Sequence, residues 1–151
     1  MSPLTREQLL KATDVFLEAF NEFTPESVVR HRSPSCLHRE CPATLKTPPQ
    51  TNTDWVNFVN LMRPIVRTFH IGLVEGEEPL IDDVSRKVAM HLKSRAETTA
   101  GLYENEYIWI FTVSEDGSCI DDILEFADSL YTSEWIPKLV KVAEEAAAAK
   151  K

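Results

Sequence analysis

The chain has 151 residues, 43% of them apolar and 26% charged, with 24 acidic against 16 basic side chains and a net charge of −8. That size predicts one folded domain over residues 1–151, the composition excludes a disordered chain, and the acidic balance excludes a surface built for nucleic-acid phosphates. No apolar run approaches the ~20 residues of a membrane span, and the first residues lack the apolar stretch of a secretory leader. Cys36, Cys41 and Cys119 fit no zinc spacing, so the expectation is a cytoplasmic protein with reduced thiols and no metal site.

The first element is a helix over about 6–23. Thr5 and Gln8 form a capping box, and Leu9, Thr13, Phe16, Leu17, Phe20 and Phe23 recur at three- and four-residue steps, which makes one apolar stripe. Thr24-Pro25-Glu26 signals a second, short helix that Ser33-Pro34 ends. Residues 35–41 read as a short strand. The proline-rich segment 42–53 reads as a long connection, or as a lid over a pocket. A third helix is predicted over 54–67, capped by Thr53 or Asp54, with Trp55, Phe58, Val59, Met62 and Val66 on its apolar face and Pro64 as a kink or stop.

Beyond this helix the periodicity changes to two. Strands are predicted at 68–75, 84–97, 103–113 and 119–127, with Asp116-Gly117 as a hairpin turn, and a last helix from Ser133 with Pro137 near its start. Helices gathered on one face of a bent antiparallel sheet define an α+β architecture. A two-residue turn at Asp116-Gly117 sets Thr112 opposite Asp121, Ile110 opposite Ile123 and Ile108 opposite Glu125. Asp121, Ile123 and Glu125 then share a face with Ile108 and Ile110, while Tyr107, Trp109, Phe111, Asp122, Leu124 and Phe126 take the other. A one-residue slip or bulge would exchange the faces. Both faces are largely apolar, so one is expected to line a pocket and the other to bury against a second copy in a homodimer.

The element order, with the ending Asp116-Gly117-Ser118-Cys119-Ile120-Asp121-Asp122-Ile123-Leu124-Glu125-Phe126-Ala127-Asp128, resembles the SnoaL-like branch of the NTF2-like superfamily. That branch commonly closes on Asp-Gly-Lys-Ile followed by Glu-Tyr/Phe-x-Asp. The resemblance implies a cone: a curved antiparallel sheet over the N-terminal helices, with a C-terminal helix and a pocket inside. The stretches Arg30-His31-Arg32-Ser33-Pro34-Ser35-Cys36-Leu37-His38, Ser85-Arg86-Lys87-Val88-Ala89-Met90-His91 and Glu125-Phe126-Ala127-Asp128-Ser129 are similar to the small fungal meroterpenoid isomerases of the terretonin, austinol and paraherquonin type. This implies a homodimeric isomerase or cyclase that rearranges lactone rings of a hydrophobic terpenoid–polyketide substrate, with no cofactor, no metal and no membrane or nucleic-acid partner. Superfamily membership alone also admits a polyketide cyclase, a dehydratase or a non-catalytic binding module.

Four residues are candidates for acid–base work. Glu125 lies where SnoaL-like cyclases carry a pocket carboxylate, and an apolar cone would raise its pKa toward neutrality. Asp121, two positions earlier, would fall on the same face and could take the opposite proton role. The plain alternative is that Asp121 is solvated beside the turn and Glu125 pairs with an arginine. His38 on the short strand and His70 on the first long strand could relay a proton, or could simply sit at the surface. Phe58, Met62, Tyr107 and Trp109 suit the wall of an apolar pocket, as well as an ordinary core, and Asn60 could offer an amide to a lactone oxygen. No histidine pair has helical metal-ligand spacing.

Overall fold

The computed structural model describes residues 2–151. Helix α1 (Arg6–Glu22) opens on the expected box: Thr5 accepts from the Gln8 amide, and the Gln8 side chain accepts from the Thr5 amide at 2.8 Å. Its buried stripe of Leu9, Thr13, Phe16, Leu17 and Phe20 lies against the sheet, with Phe16 edge-on to Phe111 and Phe20 edge-on to Trp109. Asn21 fixes the helix end to the sheet by exchanging two hydrogen bonds, 2.7 and 2.9 Å, with the backbone of Ile71.

The second helix expected near 25–33 is a series of turns. Thr24 and Ser27 cap each other at 2.9 Å, but a single four-residue bond, Val28 to Thr24, is followed by three-residue bonds, those of Val29 and Arg30 stretched to 3.4 Å. So short a segment cannot recover the cost of helix nucleation. Strand β1 (Arg32–Cys41) therefore starts earlier than expected. After a 3₁₀ turn at Ala43–Leu45, α2 (Asn52–Met62) begins under a box formed by Thr51 and Asp54. Pro64 then converts the end of α2 into a 3₁₀ turn over Arg63–Ile65, so the helix is shorter than its apolar pattern suggested.

Strands β2 (Val66–Leu73), β3 (Leu80–Asp82), β4 (Lys87–Thr98), β5 (Gly101–Val113) and β6 (Ile120–Ala127) follow. The sheet order is β1-β6-β5-β4-β2, with β3 beside β4. Neighbours are antiparallel except β1 and β6, which run parallel; the sheet is mixed where a wholly antiparallel one was expected. Helix α3 (Ser129–Ala149) starts under Asp128, whose carboxylate accepts from the Tyr131 amide. Its start is four residues before Ser133, so Pro137 lies well inside it.

The β5–β6 hairpin carries a consequential deviation. Beside the turn the expected register is met, with Val113 opposite Ile120. Asp121 then bulges out of the ladder, and from Asp122 onward every pair is displaced by one residue, so Trp109 rather than Ile108 faces Glu125. A bulge reverses which side of the sheet the following residues occupy. Glu125 and Ile123 thus join Tyr107, Trp109 and Phe111 on the inner face, while Ile108 and Phe126 are exposed on the outer one. The three helices and this curved sheet form an α+β cone.

Candidate active site

The concave face of the sheet and the helices enclose a cavity of about 970 Å³ including its mouth. Its concave shape and apolar lining suit a hydrophobic small molecule. Its wall is aromatic and aliphatic, with Phe20, Phe58, Met62, Phe69, Tyr107 and Trp109 prominent, and Glu125 and Glu40 are the only acidic side chains on it. Alternation on β5 brings Tyr103, Asn105, Tyr107 and Trp109 to this side, and the Asp121 bulge brings Glu125 there from β6.

Behind Glu125 runs a buried polar chain. His38 is fully enclosed; its Nε2 lies 2.7 Å from Glu125 Oε1, and its Nδ1 lies 3.2 Å from a terminal nitrogen of Arg32. A guanidinium can only donate, so Nδ1 is the acceptor and the ring proton sits on Nε2, donated to Glu125. Burial and the adjacent Arg32 hold the His38 pKa well below its ordinary value, so the ring stays neutral. Arg32 is itself only 6% exposed and lies between the rings of Phe16 and Trp55, at 5.6 and 5.3 Å. Burial draws its pKa down to about 10.

Desolvation pushes the Glu125 carboxyl up to about 7, against the lowering effects of Glu40 and Arg32. Glu40 is raised by burial and by the nearby Glu125 charge. Beside these carboxyls lies a cluster of neutral donors. Asn105 donates to Tyr103 Oη at 2.7 Å and to Thr132 at 3.0 Å, Tyr103 and Tyr107 are 3.4 Å apart, and Tyr107 meets Ser94 at 2.8 Å. Burial raises both phenols, Tyr103 to about 12, so they remain protonated. The site therefore combines a carboxyl poised near neutrality, a neutral histidine orienting it, and phenol donors, in an apolar enclosure.

Glu125, His38, Phe58, Met62, Tyr107 and Trp109 thus come together, with His38 acting from behind the wall. Three candidates do not join them. Asp121 is the bulged residue, outside the cavity wall, and Asp122 beside it pairs with Arg39 at 2.6 Å on the outer face. His70 lies between the cavity-lining Phe69 and Ile71, so alternation sends it outward, where its ring covers Gly72. Asn60 is exposed on the far side of α2. Arg32, Glu40, Tyr103 and Asn105 were not singled out. Strand alternation was the available signal, since Glu40 follows His38 by two residues, and Tyr103 and Asn105 precede Tyr107 by four and two.

A cone of this kind, with acid–base groups buried at the base of an apolar cavity, defines an NTF2-like enzyme of the SnoaL-like type. A SnoaL-like polyketide cyclase from Shewanella denitrificans superposes with a TM-score of 0.69 over 87% of this chain and 98% of its own, at 8% identity, which speaks to the fold alone. No family model matches the chain. Austinoid biosynthesis clusters protein H of Penicillium brasilianum is 34% identical over 140 residues, 92% of this chain and 95% of that protein. The crystal structure of the BvnE pinacolase from Penicillium brevicompactum matches with a TM-score of 0.85 and 37% identity, over 91% of this chain and 95% of that one. The chain belongs to the family of the austinoid biosynthesis cluster proteins, NTF2-like enzymes of fungal meroterpenoid pathways, and is a secondary-metabolism enzyme of the isomerase/cyclase type.

Proposed function

We propose that this enzyme isomerises a hydroxylated, polycyclic lactone of terpenoid–polyketide origin by general acid–base catalysis. The observation that carries the reading is Glu125: a carboxyl with a pKa near 7, in an apolar cavity, oriented by a neutral histidine. In the reaction, the Glu125 carboxylate accepts the proton of a substrate hydroxyl. The resulting alkoxide attacks the lactone carbonyl, and the phenols of Tyr103 and Tyr107 donate to the developing oxyanion. Collapse of the tetrahedral centre breaks the original ring C–O bond, and the departing alkoxide takes the same proton back from Glu125. Atoms and protons balance, and the product is an isomer. His38 keeps one Glu125 oxygen engaged so that the other addresses the substrate.

The likeness to the BvnE pinacolase supports a second reading, a pinacol-type shift with the same residues. Glu125 would take the proton of a carbinol, its C–O bond would become a carbonyl as a neighbouring C–C bond migrates, and the electron pair displaced at the receiving carbon would pass to an oxygen or nitrogen protonated by a tyrosine.

Incubation of the enzyme with hydroxylated lactone intermediates and with α-hydroxylated pinacol-type substrates, followed by mass spectrometry and NMR, tests both. An unchanged mass with a relocated lactone is the expected result. A new ketone with a migrated C–C bond, with or without the displaced oxygen leaving as water, establishes the second reading, and loss of water to an alkene on an unrearranged skeleton refutes both.

A further inference from the structure

The parallel pairing of β1 with β6 makes Glu40 and Glu125 direct neighbours. Both side chains line the cavity, side by side on the paired strands. One oxygen of each is already engaged by a donor: Thr47 Oγ1 donates to Glu40 Oε1 at 2.6 Å, and His38 donates to Glu125 Oε1 at 2.7 Å. Thr47 is itself held in place, because its segment is tied down by reciprocal 2.9 Å backbone bonds between His38 and Gln50. Two adjacent carboxylates cannot both ionise in so apolar an enclosure without strong repulsion. One proton between them turns the repulsion into a hydrogen bond. The charged and titratable groups facing the pair are Arg32 and His38 from β1 and Tyr103 and Tyr107 from β5. The single cation, Arg32, lies on the Glu125 side.

We propose that Glu40 is a positioning residue that shares one proton with Glu125, so that the resting site holds a protonated Glu40 hydrogen-bonded to an ionised Glu125. Its use in turnover rests on the isomerase reading above, but its existence does not. Arg32 and the His38 N–H stabilise the anion on Glu125, and the proton resides on Glu40. When Glu125 takes the substrate proton the pair becomes neutral, holding two protons. When the departing alkoxide reclaims one, the pair returns to its resting state. Glu40 forms no bond to the substrate. It sets how strongly Glu125 binds a proton, and it keeps a second full negative charge out of the cavity.

The test is a carbon-13 NMR titration of the full chain labelled at the glutamate carboxyl carbons, with no ligand present. The Glu40 and Glu125 resonances, assigned by their loss in E40Q and E125Q, are expected to move together in two shared steps. In Glu40→Gln these collapse to a single Glu125 step lying between them, and in Thr47→Val both steps move upward. Separate, single-step titration of each residue in the wild type overturns the pair without recourse to any variant. With a turned-over substrate, Glu40→Leu, which removes the hydrogen bond to Glu125, is expected to lower kcat by about 10²-fold with KM nearly unchanged, whereas Glu40→Gln, a neutral donor in place of the protonated acid, should keep most of kcat while its pH–rate profile follows the single step. An unaltered pH profile overturns the positioning role. Two shared steps in a protein that turns over no lactone and no pinacol-type substrate would refute the isomerase reading and leave the pair standing.

Discussion

The carboxyl assigned as the base should be a burden on the fold that carries it, and Glu125→Gln measures that burden. In the native protein Glu125 titrates at about 7, against 4.5 for an unperturbed glutamate. At about 1.4 kcal/mol per pKa unit, ionising it in the folded state costs roughly 3 kcal/mol more than in the unfolded chain. The sign follows from where the proton sits. Below pH 4.5 both states carry it and Glu125 contributes no pH dependence. As the pH rises from 4.5 to about 7 the native state holds a proton that the unfolded state has released, so stability falls, and above about 7 the deficit is complete. Glutamine mimics the protonated acid in shape and charge. Urea unfolding across this range should therefore find wild type and Glu125→Gln nearly equal at pH 4, and the variant more stable by about 3 kcal/mol at pH 8, or about 10 °C in melting temperature for a chain of this size. The same variant should lose about 10²- to 10⁴-fold in turnover. A constant offset between the two proteins at all pH values, or a variant less stable at pH 8, would refute the account of Glu125 as a desolvated, ionisable base.

Three further expectations concern the surroundings of Glu125. His38→Leu removes the only acceptor that Arg32 has, because Nε and the other terminal nitrogen of Arg32 find none among the described residues. It should destabilise the protein by about 3–5 kcal/mol, and Arg32→Met in the same background should recover much of the loss by removing the stranded cation. Failure of the second change to help would contradict the buried-cation argument. Asp121→Asn and His70→Ala should leave turnover within about twofold of wild type, whereas Tyr107→Phe should reduce it by at least about tenfold; steady-state kinetics on one product-forming substrate decides. The exposed outer-face pair Ile108 and Phe126 supports a homodimer through the sheet, for which light scattering should give twice the chain mass of 17.2 kDa and Phe126→Glu should give the monomer. A wild-type mass of one chain would remove the dimer.

Much of this architecture was legible because local signals agree with one another. The capping box at Thr5, the α1 stripe and the alternation along β4 and β5 each state their element in a few adjacent residues, whereas the cap of α2 falls on Thr51, two residues before the expected Thr53. Glu125 and His38 were singled out through the resemblance to SnoaL-like enzymes, which places a pocket carboxylate on the last strand and pocket residues on the short first one. What escaped was the relation between strands. The Asp121 bulge depends on how the hairpin twists into the cone; the extra residue of Gly117-Ser118-Cys119-Ile120 over the branch's Gly-Lys-Ile pointed to a one-residue shift without placing it. The expected register therefore placed Asp121 beside Glu125 and left Tyr107 and Trp109 on the opposite face. The parallel docking of β1 was hidden in the same way, and with it the meeting of Glu40 and Glu125. His70 and Asn60 show the limit of residue type as evidence: both have suitable chemistry, but a one-position difference in strand or helix phase directs them to the exterior.

The union of β1 with β6 also ties the chemistry to the completion of folding. His38 and Glu125 are 87 residues apart in the chain, and the intervening sequence forms most of the sheet. Contacts of such long range are closed late and slowly, once the loop between them has been paid for in entropy by shorter-range structure. A nascent or partly folded chain carries these groups as an ordinary glutamate and an ordinary histidine, with solution-like proton affinities. The perturbed carboxyl comes into being only when β6 docks on β1, so the recovery of activity on refolding times the closing of the cone.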